Sequence, residues 1–109
     1  MDTPGFDVPS VTGMAAGGAQ IVVFSTGLGT PTGNPIVPVI KITGNKYTNE
    51  TMAEHIDFYA GELLEGTATL EQLGKDLLAL TAEVIEGKET CAEKLGFREF
   101  SVSRLCNYV

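Results

Sequence analysis

The sequence predicts an α/β fold: a small, mostly parallel sheet with flanking helices, in one domain. Three observations carry this expectation. Two short apolar runs rich in β-branched residues, Ile21 to Phe24 and Ile36 to Ile42, are bounded by turn residues and read as buried strands. Leu70, Leu73, Leu77, Leu80 and Val84 recur at spacings of three and four, which is one face of a helix. The chain has 109 residues, the length of one domain, and a domain of that size buries roughly 65% of its unfolded surface, enough for a core without staples.

Along the chain, residues 1–9 read as a loop punctuated by Pro4, Gly5 and Pro9. Ser10 is placed to cap a short helix of small residues over 11–18, able to approach a sheet closely. The first strand is expected over 19–25 and the second over 37–43, with Pro38 at the strand's start or edge because it lacks a ladder donor. Thr51 and Glu54 fit a capping box for a short helix over 52–55. Residues 56–59 are expected to be extended, ended by Gly61. Thr69 and Gln72 form a second capping-box pattern ahead of the leucine-rich helix, and Gly87 is a natural stop. Residues 97–105 alternate imperfectly and suggest a last strand. Alternating strands and helices favour parallel pairing. The link between the first two strands shows no helix pattern and is short for a crossover, so antiparallel or separated strands stay open.

Composition divides the chain into a Gly- and Pro-rich strand-loop half, 1–48, and a helical half, 49–109; all five prolines fall at or before Pro38. The net charge of −7 argues against a nucleic-acid or anionic-membrane surface, since phosphates would be repelled. Residues 1–40 carry only Asp2 and Asp7, so the acidity belongs to the later, solvated helical faces, with pairs such as Glu71–Lys75. Cys91 and Cys106 lack metal-ligand spacing, and a bridge between them is possible but not implied. No secretory leader and no membrane-length apolar run is visible, so a soluble cytoplasmic protein is expected.

Chemistry is expected in the loop Ser25-Thr-Gly-Leu-Gly-Thr-Pro-Thr-Gly-Asn34, which leaves the carboxyl end of the first strand. Its hydroxyls and close-approaching glycine amides suit a carboxylate or phosphate, and equally suit a plain structural turn. The spacing is neither G-x-G-x-x-G nor a P-loop, which ranks nucleotide binding lowest. Lys41 is the only cation in the first forty-five residues and sits among apolar neighbours. Such a lysine acts as a base or charge stabiliser if withdrawn from water, or points to solvent like an ordinary strand lysine. Asn45 is placed to orient a hydroxyl or to make a turn. Glu54, His55 and Asp57 are either metal ligands or the solvated end of a helix.

The motifs Met1-Asp-Thr-Pro-Gly-Phe-Asp7, Ser10-Val-Thr-Gly13, Ala16-Gly-Gly18, Phe24-Ser-Thr-Gly-Leu-Gly-Thr-Pro-Thr-Gly-Asn-Pro35 and Ile40-Lys-Ile-Thr-Gly-Asn45 stand in this order. Together they resemble the C-terminal domain of the altronate/galactarate dehydratase family, to which sulfolactate sulfo-lyase large subunits also belong. The resemblance is dense to about residue 61. It implies hydro-lyase chemistry on a sugar acid: α-proton abstraction, β-elimination and a 2-keto acid product. It further implies that Ser25, Thr26, Gly27, Gly29, Thr30, Thr32, Asn34 and Asn45 grip substrate, that Lys41 is catalytic by stabilising charge, and that Asp57 helps hold a divalent metal, iron or manganese. Asp2 and Asp7 are either supporting carboxylates or loop caps. The partners implied are a small hydroxy acid, N-terminal catalytic domains or a separate subunit, and another copy of the chain in a homo-oligomer; the isolated chain is expected to be inactive alone. Two positions depart from the family pattern: Leu28 stands where an Arg is usual, and Tyr59 where a small polar residue is usual. Both favour the alternative, a non-catalytic carboxylate-binding or assembly domain.

Overall fold

A computed structural model describes residue 3 and residues 5–102. The order is α1 (Asp7–Ala16), β1 (Val22–Thr26), β2 (Val39–Thr43), α2 (Lys46–Thr51), β3 (Phe58–Tyr59), α3 (Glu62–Glu65), α4 (Leu70–Ile85) and α5 (Cys91–Leu95). The three strands form one sheet in the order β1-β2-β3, parallel throughout, with Val22 opposite Val39, Phe24 opposite Lys41 and Ile42 opposite Phe58. The fold is α/β, as the alternation of strand and helix patterns predicts.

The open question about the first two strands resolves to parallel neighbours joined by residues 27–38 without a helix. That link is held by its own side chains, and it enters β2 through Pro38, whose carbonyl accepts from the Val22 amide at 3.0 Å. Pro38 thus sits immediately before the strand, where its missing N–H costs no ladder bond. All five residues of β2 are buried, as expected of a central strand covered on both faces. Val11 of α1 packs with Val22, Val37 and Val39, and Met14 and Ala15 complete this contact. On its other side α1 is met by Thr3, ahead of the helix; a Cβ on Gly13 would lie 2.6 Å from Thr3 Cγ2.

Four local expectations need correction. The first helix starts earlier than 11, at Asp7, with Phe6 rather than Ser10 at the N-cap. Pro9 lies in its first turn, where a missing N–H is harmless. The helix expected over 52–55 is instead α2, one turn earlier, because Asn45 Oδ1 accepts from the Thr48 amide at 3.0 Å and takes the cap. Thr51 is then the last helical residue, its hydroxyl donating back to Tyr47 O. The first strand begins at Val22 rather than residue 19, since the Ala19 amide is held by Met14 O in the turn after α1. Residues 97–102 are not a strand: Phe97 turns inward and the Ser101 amide donates to Thr12 Oγ1 at 3.2 Å. The remainder of that expected strand, and Cys106 and Asp2, lie outside the described residues.

The capping box of Thr69 and Gln72 forms, and Gly87 follows the end of α4 with φ of 116°. A second box, Thr90 with Glu93, starts α5, a helix the sequence reading passed over although the Thr-x-x-Glu pattern and Gly96 were there to find. Among the described residues no helix is long and apolar enough to cross a membrane.

Tyr59, at the end of β3, donates to Glu65 Oε1 at 2.6 Å across the start of α3. Its ring passes over Gly61, where any Cβ would collide with it. The hydrogen bond to Glu65 is the main reason its phenol is pushed up to about 12; burial and the carboxylates of Glu65, Glu50 and Glu62 add to this. Between the ordinary value of 10.0 and about 12 the folded chain keeps a proton that the unfolded chain has lost. This contribution is therefore full below about pH 10 and lost as pH rises through about 12. Tyr59→Phe is expected to remove that alkaline loss, seen as a flatter urea midpoint against pH than in the wild type.

Candidate functional site

Because the sheet is parallel, the carboxyl ends of its strands lie side by side, and the loops beginning at Gly27, Gly44 and Ala60 leave from one edge. Ligands of open parallel sheets collect at this edge. Here the Thr26 hydroxyl accepts from the Gly29 amide at 2.6 Å and closes a tight turn over Gly27 and Leu28. Thr43 joins the neighbouring loops: its hydroxyl donates to Gly27 O at 3.3 Å and accepts from the Asn45 amide at 3.1 Å. Ser25 and Gly27 are exposed, Thr26, Gly29 and Asn45 half-buried, and Leu28 is 76% exposed at the loop's tip.

The later loop residues face inward. Thr30 donates its hydroxyl proton to Asp7 Oδ2 at 2.6 Å, so its oxygen is left to accept from the Thr32 hydroxyl at 2.9 Å and the Thr32 amide at 3.2 Å. Asn34 Oδ1 accepts from the Ile36 and Val37 amides at 2.9 and 3.3 Å. The ten-residue stretch therefore splits in two. Ser25, Thr26, Gly27 and Gly29, together with Asn45, stand at the open edge. Thr30, Thr32 and Asn34 are buried: the threonine hydroxyls bond each other and Asp7, and the Asn34 oxygen holds the loop's own amides.

Gly29 is the hinge between the two parts. Its φ is +86°, and a Cβ would sit 2.6 Å from Thr48 Cγ2 and 3.3 Å from Ile56 Cδ1. Gly29→Ala is expected to cost roughly 2–5 kcal/mol, the sum of a left-handed backbone and overpacking. Gly27 has nothing within 4 Å of a Cβ, so Gly27→Ala should leave thermal stability nearly unchanged. Paired melting curves check both.

Beneath the loop lies Lys41, 0% exposed. Its position on β2, beside Phe24 of β1, turns it to the face that the loop covers. Nζ donates to Pro31 O at 3.3 Å and stands 6.0 Å from the centre of the Phe97 ring. Lys41 is thus not the solvent-facing strand lysine that was the commoner alternative. Burial holds its pKa below the ordinary 10.5, against the opposing pull of Asp57 and Cys91.

Asp57 lies on the segment that leads into β3, and both its oxygens meet backbone amides: Oδ2 accepts from Lys41 N at 2.9 Å and Oδ1 from Cys91 N at 2.8 Å. It therefore pins the start of α5 to β2 and sets a negative charge near the Lys41 ammonium. The Cys91 thiol donates to Ile56 O at 3.4 Å; burial first, and then Asp57, push it above its ordinary 9.0, so it stays a thiol at neutral pH. His55 packs edge-on to Phe97, with ring centres 5.6 Å apart, and its buried Nδ1 has no hydrogen-bond partner among the described residues. The sequence reading did not anticipate Cys91 or Phe97 here, and nothing in their spacing pointed to this place.

A divalent metal does not fit these residues as its sole support. Asp57 is already engaged by two amides, Glu54 reaches only His55, at 4.0 Å, and no group of three or more His, Cys, Asp or Glu side chains converges among the described residues.

A glycine-rich turn at the carboxyl edge of a parallel sheet, followed by an inward loop whose Pro31 carbonyl takes a buried lysine, is what the ordered motifs of the first half build. The profile of the D-galactarate/altronate dehydratase C-terminal family matches residues 1–107. The chain belongs to this family. It is 41% identical to the (2R)-sulfolactate sulfo-lyase subunit beta of Chromohalobacter salexigens, over 96% of this chain and 27% of that one. It is 37% identical to the altronate dehydratase of Escherichia coli, over 94% of this chain and 20% of the relative. The galactarate dehydratase (L-threo-forming) of Escherichia coli is 34% identical over 80% of this chain and 17% of its own length. The chain thus spans about a quarter or less of the curated relatives it matches.

Proposed function

We propose that this chain is the C-terminal part of a lyase that acts on a sugar acid, a hydro-lyase for a substrate such as altronate or galactarate. The reaction removes the proton α to the carboxylate, expels the β-hydroxyl, and lets the resulting enol become a 2-keto acid. The observation that carries this reading is the fully buried Lys41, whose ammonium donates to Pro31 O of the glycine-rich loop that leaves the carboxyl edge of the sheet. The hydroxyls of Ser25 and Thr26 and the amide of Gly27 take the substrate carboxylate, with Asn45 at the neighbouring loop, while Gly29, its amide bonded to Thr26 Oγ1, shapes the turn around it. Thr30, Thr32 and Asn34 keep the loop in that shape. Lys41 places positive charge under the site as negative charge develops on the substrate, in a setting of low dielectric where such charge counts most. Asp57 fixes the lysine's strand and α5 together. A divalent iron or manganese ion in the whole enzyme would draw its ligands chiefly from outside the described residues; Asp57 would join only by sharing an oxygen already bonded to an amide. The rest of the enzyme, in the same polypeptide or a separate subunit, completes the site, since positioning supplies much of a catalyst's rate.

Leu28 favours a second reading. At the exposed loop tip it offers no bidentate clamp of the kind an arginine would give a carboxylate. On that reading the domain binds a sugar-acid carboxylate or an assembly partner without turnover. The test is release of 2-keto acid by the whole enzyme from altronate, galactarate and sulfolactate. Turnover of a sugar acid supports the hydro-lyase, and turnover of sulfolactate alone moves the reaction to sulfite elimination. Ligand-dependent stabilisation with no product would replace catalysis by binding.

A further inference from the structure

The short helix α5 reaches Lys41 from both of its ends. At its start the Cys91 amide donates to Asp57 Oδ1 at 2.8 Å, and the other oxygen of that carboxylate takes the Lys41 amide at 2.9 Å. At its end Gly96, with φ of 74°, turns the chain back, and the Phe97 amide donates to Ala92 O at 3.0 Å. That turn sets the Phe97 ring over the Lys41 ammonium, with 6.0 Å from Nζ to the ring centre. The ring is held in turn. His55 packs against it with centres 5.6 Å apart and planes at 70°. Gly33 of the glycine-rich loop lies against its base, where a Cβ would come within 3.0 Å of Phe97 Cβ. Lys41 needs such a neighbour. An ammonium has three N–H donors. This one belongs to a residue 0% exposed, and among the described residues it makes one hydrogen bond, to Pro31 O at 3.3 Å, and no ion pair. The face of an aromatic ring attracts a cation within about 6 Å of its centre, more strongly where water is excluded.

We propose that Phe97 is a positioning residue for the lyase reaction: the face of its ring, together with the Pro31 carbonyl, holds the Lys41 ammonium in one place. The lysine stem is flexible, and a single hydrogen bond would leave its ammonium free to swing. Ring and carbonyl together fix it. Asp57 does the same for the backbone of Lys41, so α5 secures the residue at its amide and at its charge. A charge already in place needs no reorganisation as the reaction proceeds, and that is the source of its catalytic value. A leucine at this position would fill apolar space without offering such a face. The inference rests on the reading that Lys41 stabilises charge during turnover.

The experiment uses the whole enzyme, as one polypeptide or as co-expressed subunits, with Phe97 replaced in turn by mono-, di- and trifluorophenylalanine. Fluorine draws electron density from the ring face and changes the ring's volume little, so packing is kept while the attraction for a cation weakens. On an acid that the enzyme turns over, kcat is expected to fall at each step, by about 3- to 30-fold over the series, with KM and melting temperature unchanged. With Lys41→Met in the same enzyme, the residual rate is expected not to respond to fluorination. A constant kcat over the series would overturn the proposal. So would an equal decline in the Lys41→Met enzyme, since the ring would then act on another group. Phe97→Leu is expected to lose at least as much kcat as the trifluorinated enzyme, and full kcat in that variant would also overturn the proposal; the fluorinated series decides even if the leucine variant does not fold. An enzyme that loses kcat on Lys41→Met but not on fluorination keeps the proposed function and loses this inference, whereas one unmoved by Lys41→Met loses both.

Discussion

Asp57→Ala is expected to lower the stability of the domain by about 3–6 kcal/mol, the sum for two backbone amides that lose a charged acceptor. The side chain joins three segments distant in sequence. One oxygen takes the amide of Lys41 in the central strand and the other the amide of Cys91, at the first turn of α5. Each bond to an ionised carboxylate contributes about 1.5–3 kcal/mol, and in the alanine variant both amides lose their acceptor. The buried Lys41 ammonium also loses the negative charge that favours it. Asp57→Asn should fall between wild type and alanine, because the amide retains one acceptor oxygen but presents an N–H donor to the other backbone N–H. Urea unfolding of the three proteins checks this, with the loss in the midpoint and an unchanged slope.

Lys41→Met separates the chemistry of the site from its stability. Methionine is close in length and apolar; Lys41 makes no ion pair within 4 Å among the described residues, so the change mainly relieves the desolvation of a buried charge. The domain is therefore expected to melt no lower than wild type. The sign of the pH dependence follows from the lowered pKa of Lys41. Between its folded value and the ordinary 10.5, the unfolded chain binds a proton that the folded chain does not, so wild-type stability rises with pH across that window. The methionine variant lacks this rise. In the whole enzyme the same substitution is expected to lower kcat on a sugar acid by about 10²–10³, the scale of losing one preorganised electrostatic stabiliser. An equally stable variant with unchanged kcat would remove Lys41 from the mechanism.

The features legible in the sequence are those set by neighbouring residues. The β-branched runs at 21–24 and 36–42 contain the strands Val22–Thr26 and Val39–Thr43 in large part, although Ile36 stays exposed ahead of the second, and the Thr69 capping box and the stop at Gly87 form as their chemistry implies. The Thr51–Glu54 pattern suggests a helix start, but Asn45, legible only as a turn residue or a hydroxyl-orienting group, takes the cap because the end of β2 places it at the start of α2. Contacts between distant residues were hidden. Thr30 was readable as a loop hydroxyl, but its partner Asp7 lies 23 residues earlier. Asp57 was readable as a carboxylate, but it reaches 34 residues ahead to take the first amide of α5. The burial of Lys41 depends on a loop and on Phe97 folding over it, which no period of two or 3.6 records.

These contacts give the site its division of labour. Thr30, Thr32, Asn34 and Asp57 are spent on architecture, while the turn at 25–29 and the start of α2 at Asn45 stay open at the sheet's edge. The central claim is that substrate binds at that edge. Amide hydrogen exchange of the whole enzyme, with and without a sugar acid that it turns over, tests it most directly. The account predicts slower exchange at the Gly27, Leu28, Gly44 and Asn45 amides when the sugar acid is present. Unchanged exchange at these four amides, with protection confined to other parts of the enzyme, would contradict it.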